Sequence, residues 1–149
     1  MALEYKLVLI GATSPEQVRQ RAFPGREDEL VEIPPLLTAD LQERLGFHVT
    51  IRAKASDYIE VETNGGMWDR KLLEHVSLTF RMDESADSDW YITNMITVVH
   101  QLLETGSEDA LLILDHDTLL LARHGGTLAK HDRDGWWDHF PAADQLIPG

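Results

Sequence analysis

The clearest hydrophobic pattern lies between His75 and Gly126. In HVSLTFRM, Val76, Leu78, Phe80 and Met82 alternate with Ser77, Thr79 and Arg81. A period of two turns one set of side chains towards a core and the other away from it, which defines a strand. An acidic stretch, DESADSD, then leads into WYITNMITVVHQLLETGS. There Ile92, Met95, Ile96, Val99, Leu102 and Leu103 recur at three- and four-residue spacing. Such spacing makes one stripe on a long amphipathic helix. Asp87, Ser88 or Asp89 is placed to cap it near Trp90, and Gly106 ends it. Residues 110–114 and 119–122 are near-continuous apolar runs, as expected for strands covered on both faces. Asp115-His116-Asp117 joins them as a tight hairpin.

The flanking segments extend this pattern. Residues 3–10 form a first strand with Leu3, Tyr5, Leu7 and Leu9 on one face and Val8 and Ile10 on the other. Ser14 and Pro15 open a short helix over 15–22, which Pro24-Gly25 terminates. Residues 24–37 read as irregular, because Pro34-Pro35 interrupts them. Thr38 is placed to cap a turn or two of helix over 39–45, closed by Gly46. Phe47, Val49 and Ile51 alternate with polar residues, as do Ile59 and Val61. The connector Ala55-Ser56-Asp57 is short enough for a hairpin. Asn64-Gly65-Gly66 is a turn, after which either a strand resumes through Met67 and Trp68 or a loop runs to about Leu73. Gly125-Gly126 turns the chain again before a short edge strand over 127–130. In the tail, at least one of Trp136 and Trp137 packs onto the body. The expected fold class is α+β: a mostly antiparallel sheet with one long and one short helix packed on one face. Residues 1–149 are expected to form a single α+β domain, with no internal repeat or linker.

Charge narrows the choice of partners. Asp and Glu number 26 against 13 Lys and Arg, a formal net charge of −13. A surface this negative repels phosphate backbones, so no nucleic-acid partner is expected. It either serves solubility or steers an acidic face towards a basic protein. There are no cysteines, which excludes disulfides and thiolate metal sites. The opening MALEYKLVLIGATS lacks a basic leader, and no apolar run reaches membrane-spanning length. The expected protein is soluble and cytoplasmic, with no membrane partner.

Candidate chemistry is sparse. His116-Asp117 and His131-Asp132 invite a metal or phosphohydrolase reading, but Asp115-His116-Asp117 is also what a turn selects. His100 sits at the edge of the helical stripe with no second ligand four residues away. Gly65-Gly66 and Gly125-Gly126 lack the spacing of phosphate-binding loops, and no Gly-x-Ser-x-Gly occurs. No catalytic residue, cofactor or metal is assigned. The acidic turn is more informative: Asp83, Glu84, Asp87 and Asp89 supply four carboxylates where a helix cap needs one. Asp115 and Asp117 belong at a sheet end too. Tryptophan beside carboxylates is typical of binding hot spots. The candidate partner-binding set is therefore Asp83, Glu84, Asp87, Asp89, Asp115, Asp117 and Trp136.

Several segments carry a family likeness. They are the opening LEYKLVL with its Ser-Pro-led helix, VSLTFRMD at 76–83, the Asp-Ala-Leu-Leu step at 109–112, the LLARHGGTL run at 120–128, and a following tryptophan. In these the chain resembles the Sit-type bacterial immunity proteins, first associated with toxin exchange between myxobacterial cells. The resemblance is best over 76–137 and supplies no binding residues. It implies a cytoplasmic protein of bacterial competition that binds and neutralises a cognate toxin, expected here to be basic. Two other readings stay open on the residues alone: a small metal- or His/Asp-dependent hydrolase, and a homo-oligomeric scaffold subunit.

Overall fold

In the computed structural model, which describes residues 3–25, 31–33 and 36–149, the first strand lies in the interior of the sheet. This strand, β1 (Glu4–Ile10), buries Tyr5, Leu7 and Leu9 on one face and Val8 on the other. After it come α1 (Pro15–Ala22), β2 (Val31–Ile33), β3 (Leu36–Leu41), α2 (Gln42–Leu45), β4 (Phe47–Lys54), β5 (Asp57–Thr63) and β6 (Gly66–Leu72). Then follow β7 (His75–Met82), α3 (Ser88–Glu104), β8 (Asp109–Leu114), β9 (Thr118–His124), β10 (Thr127–Lys130), a 3-10 turn at Trp137–His139 and α4 (Pro141–Leu146). Among the described residues the strands form one ten-stranded sheet in the order β2-β3-β4-β7-β1-β8-β9-β5-β6, with β10 beside β9. Pairing is antiparallel except between β5 and β9, which meet in parallel at Glu62–Thr118. The class is α+β with a mostly antiparallel sheet.

One core cluster joins the sheet to the helices. Tyr5, Leu7 and Leu9 share it with Val49, Leu78 and Phe80, with Val18 of α1, with Ala143 of α4 and with the α3 stripe from Ile92 to Leu102. Local chemistry sets the helix ends. Ser14 and Gln17 form a capping box at α1, and Asp87 Oδ2 accepts the Trp90 N–H at α3. The last carbonyls of α3 are satisfied by arginines from elsewhere. Arg21 donates to Leu102 O, and Arg123 donates to Leu103 O and Gly106 O. Cations at a helix C-terminus also complement its macrodipole. Arg21 is in turn gripped by Glu108, which also accepts the Thr13 hydroxyl.

A second, smaller cluster sits on the opposite face. Val8, Leu111, Ile113 and Leu119 of the sheet meet Val61 and Leu72 of the β5–β6 hairpin. Here the structure departs from the expected β4–β5 hairpin: β4 pairs with β3 and β7, whereas β5 pairs with β6 and β9. The short connector sends the chain beneath the sheet, because the apolar runs of β8 and β9 leave a face there to cover. The same hairpin settles the region after Asn64-Gly65-Gly66 as strand through Leu72.

Residues 36–41 are also strand rather than the start of a helix. Leu37, Ala39 and Leu41 are buried in alternation, α2 spans only Gln42–Leu45, and the Thr38 hydroxyl donates to Val49 O instead of capping. Of the segment expected to be irregular, residues 26–30 and 34–35 lie outside the described residues, and residues 31–33 are strand. Both tail tryptophans pack inward. Trp137 Nε1–H donates to Leu120 O, and the Lys130 ammonium lies 4.7 Å from its ring centroid while bonding Asp144.

Two consequences can be measured. Gly46 adopts φ +86° at the end of α2, and an added Cβ would come 2.5 Å from Tyr91 Cβ in α3. Gly46→Ala should therefore cost about 2–4 kcal/mol in urea unfolding, from left-handed backbone strain plus overpacking. Burial alone would raise the Glu108 pKa, but hydrogen bonds from Arg21 and Thr13 outweigh it and hold the carboxyl at about 2. A pKa lower in the folded than in the unfolded chain stabilises the fold above the ordinary carboxylate range. That contribution is lost as pH falls from there towards about 2. Glu108→Gln should lower stability at neutral pH and flatten the acid limb of the stability–pH curve.

Candidate partner-binding site

The acidic residues are distributed over two turns at one end of the sheet. Asp83, Glu84 and Asp87 lie between β7 and α3, and Asp115 and Asp117 lie in the β8–β9 turn. Antiparallel pairing of β1 with both β7 and β8 places these turns beside the start of β1. Glu84, Asp115 and Asp117 line one open cleft of ≈ 700 Å³, together with Glu4, Arg81 and His116. Tyr91 and Tyr5 register the field of both groups. The Tyr91 hydroxyl is pushed up by burial and then by Glu84, Asp83 and Asp87. The Tyr5 hydroxyl is also pushed up, mainly by burial, with Asp115 adding to the shift.

The carboxylates differ in how free they are. Asp83 Oδ1 accepts from the Ser85 backbone N–H and hydroxyl, so it folds the turn. Asp87 is the α3 N-cap. Asp115 Oδ1 accepts the Glu4 N–H, while Asp115 N–H returns a bond to Glu4 O. Glu84, Asp89 and Asp117 are exposed, though Asp89 does not line the cleft. Trp136 lies elsewhere. It is 4% exposed, donates its Nε1–H to the Tyr5 hydroxyl and meets the Tyr5 ring edge-on at 5.9 Å. A side chain committed to the core presents no anchor to a partner, so the surface argument for Trp136 falls away. Glu4 and Arg81 were missed in the sequence. They face each other only through the β1–β7 register, which no local pattern encodes.

The histidines are divided among several settings. His116 sits 3.3 Å from Glu4 in the cleft, His100 lies beside Glu104 on α3, and His124 lies beside Asp109. His124 and His131 face a common recess of ≈ 450 Å³ with Trp68, Arg70 and Arg123, and among the described residues no carboxylate lines it. His131 Nδ1 accepts the Asn64 N–H, and burial pushes its pKa down. Among the described residues, no three His, Cys, Asp or Glu come together as a metal-binding group. The His-Asp pairs shape turns instead. Asp115 and His116 both have positive φ, 48° and 69°, and the Asp117 N–H closes the hairpin onto Leu114 O.

Comparison with known proteins gives a family. The family model described as SitI3-like matches residues 3–141. The chain belongs to the SitI3-like family. The match runs from β1 through the 3-10 turn and includes both acidic turns of the cleft. It accords with the likeness to Sit-type immunity proteins in the sequence, and a family of this kind points to an immunity-type protein with a toxin as partner. Searches of curated proteins and of solved structures gave no match. Among the described residues, no helix is long and apolar enough to cross a membrane.

If Asp115-His116 is a turn device, the pair most favoured at two positive-φ positions should replace it. Asp115→Asn combined with His116→Gly should leave the fold intact and alter stability by no more than about 1 kcal/mol, in the stabilising direction. A thermal melt is sufficient to check this.

Proposed function

We propose that this chain neutralises a cognate bacterial toxin by binding it through the acidic end of the sheet and occluding the toxin's working surface. It acts in the cytoplasm as one domain over residues 1–149, and it turns nothing over. The observation that carries this reading is the convergence of two acidic turns, distant in sequence, on one cleft in a member of an immunity family. Glu84 and Asp117 are the carboxylates with least structural duty there. Asp83, Asp87 and Asp115 add to the negative field while holding backbone in place. A lysine- or arginine-bearing protrusion of a basic toxin fits such a cleft, which gathers Glu4, Glu84, Asp115 and Asp117 around its mouth. Long-range attraction then speeds encounter, and a few desolvated contacts hold the complex.

The test is survival of a sensitive host that expresses the product of the neighbouring gene, with and without this protein. Protection together with a co-purifying complex is the expected result. A harmless neighbour, or toxicity that this protein leaves unchanged, would overturn the reading. Glu84→Lys with Asp117→Lys should weaken protection and slow association at low salt, with the melting temperature nearly unchanged. Protection that survives both reversals intact would remove this cleft from the binding surface.

A further inference from the structure

The face of the sheet opposite the helices is covered unevenly. The β5–β6 hairpin lies over its β1-β8-β9 part, where Val8, Leu111, Ile113 and Leu119 are buried. Over β3, β4 and β7 the same face is mostly polar, with the half-buried Leu36 beside Arg52 as an apolar exception. Strand register lays Thr38, Thr50, Thr79 and Lys6 in one row across four strands, since Thr38 pairs with Thr50, Thr50 with Thr79, and Thr79 with Lys6. Adjacent members of such a row stand about 4.8 Å apart, a flat ladder of hydroxyls ending in an ammonium. Arg81 and His48 form the neighbouring row on one side, and Arg52 with Ser77 forms the row on the other. The three threonines and His48 are half-buried, while Arg52 and Arg81 are exposed.

In a chain with twice as many acids as bases, this concentration of cations is unexpected. Most other cations are spent. Arg21, Lys130 and Arg133 are paired with carboxylates, and Arg123 serves three backbone carbonyls. Among the described residues, neither Lys6, Arg52 nor Arg81 has a carboxylate within ion-pair distance, whereas Lys54 beside them is held by Asp57. Burial, then the neighbouring Lys54, and more weakly Arg52, push the Lys6 pKa down, only partly offset by Asp57 and Glu4. A carboxylate on this surface would relieve that cost and accept from the Thr50 and Thr79 hydroxyls, whereas the Thr38 hydroxyl is already committed to Val49 O and His48 Nε2.

From this we infer that the open half of the helix-free sheet face, with Lys6, Arg52 and Arg81 around the Thr38–Thr50–Thr79 row, docks a carboxylate-bearing segment of a protein partner. The inference rests on the reading that the chain works by binding a protein, and it extends the contact beyond the acidic cleft. Arg81 belongs to both regions, because it also lines the cleft with Glu84 and Asp117. The partner surface is therefore dipolar, with basic groups for the cleft and acidic groups for the threonine row. A nucleic acid is the poorer occupant. A long phosphate backbone would run past the row onto Asp40 and Glu4, which close the two ends of the His48–Arg81 row, and into the field of a chain of net charge −13, whereas a short carboxylate-bearing segment ends before them.

Octaglutamate is a suitable probe, because it requires no toxin and so separates this inference from the immunity reading. It would be titrated into isotopically labelled protein at low salt, with octathymidylate in a parallel series. Amide shifts concentrated at Thr38, Thr50, Arg52 and Thr79, weakened at least about tenfold in affinity in the R52E and R81E variants, are expected. Both substitutions are at exposed positions, and the same spectra report whether each variant is folded. Shifts that are absent or lie elsewhere would overturn the inference. Octathymidylate binding the row as tightly as octaglutamate would also overturn it, in favour of a nucleic-acid surface.

Discussion

The double burial of β1 is the constraint that organises the rest of the structure. This strand has a sheet neighbour on each side and apolar residues on each face, so it needs four partners. β7 and β8 satisfy its backbone. The α3 stripe covers Leu7 and Leu9, and the β5–β6 hairpin covers Val8 from beneath. An antiparallel sheet with one wet face would need only half of this cover. The crossing hairpin follows from that demand, and it explains why one ten-stranded sheet folds back on itself instead of extending as an open ribbon. None of the described residues of β3, β4 and β7 joins the cluster beneath β1.

The few cations of an acidic chain are distributed accordingly. Three of them act as internal ties. Arg21 and Arg123 reach the last turn of α3 from α1 and β9, and Lys130 holds the tail through Asp144 and the Trp137 ring. Each binds a group that would otherwise be a buried acceptor or an isolated anion. Acids, by contrast, lie mostly at the surface, where their repulsion is screened by water and salt. Arg21, Arg123 and Lys130 thus spend their charge inside the structure, while carboxylates such as Glu84 and Asp89 stand exposed at its surface.

Local order was well written in the sequence, and long-range order was not. The α3 stripe, the Ser14 N-cap, the Gly46 closure and the Asp115-His116-Asp117 turn each depend on residues within a few positions, and each was readable. The α+β class followed from their succession. The β4–β5 connector misled because a short link permits a hairpin without requiring one. What decides the matter is an exposed apolar face on β8 and β9, some fifty residues away in the chain. The strand at 36–41 was hidden by the prolines before it, although its own residues alternate. The cleft was half legible. Excess carboxylates at 83–89 and 115–117 were visible, but their meeting depends on strand order, as does the presence of Glu4 and Arg81. Trp136 was misplaced for a related reason. Composition reveals an aromatic, and burial against Tyr5 is a property of the assembled core.

The cleft also shows why a cluster of acids need not weaken this fold. Asp83 accepts a backbone N–H of its own turn, Asp87 one at the start of α3 where the helix dipole also favours it, and Asp115 the Glu4 N–H that opens β1, so each charge is stabilised by a fixed donor. Glu84 and Asp117 carry less of that duty and lie exposed on the same rim. Removing the first group disturbs the backbone, whereas changing the second alters the field with little effect on the scaffold. A surface built this way tolerates change at its outer carboxylates while the inner ones hold the turns in register. If the cleft meets a toxin as proposed, separating the charges that fold the turns from the charges that face outward lets specificity change without loss of the fold.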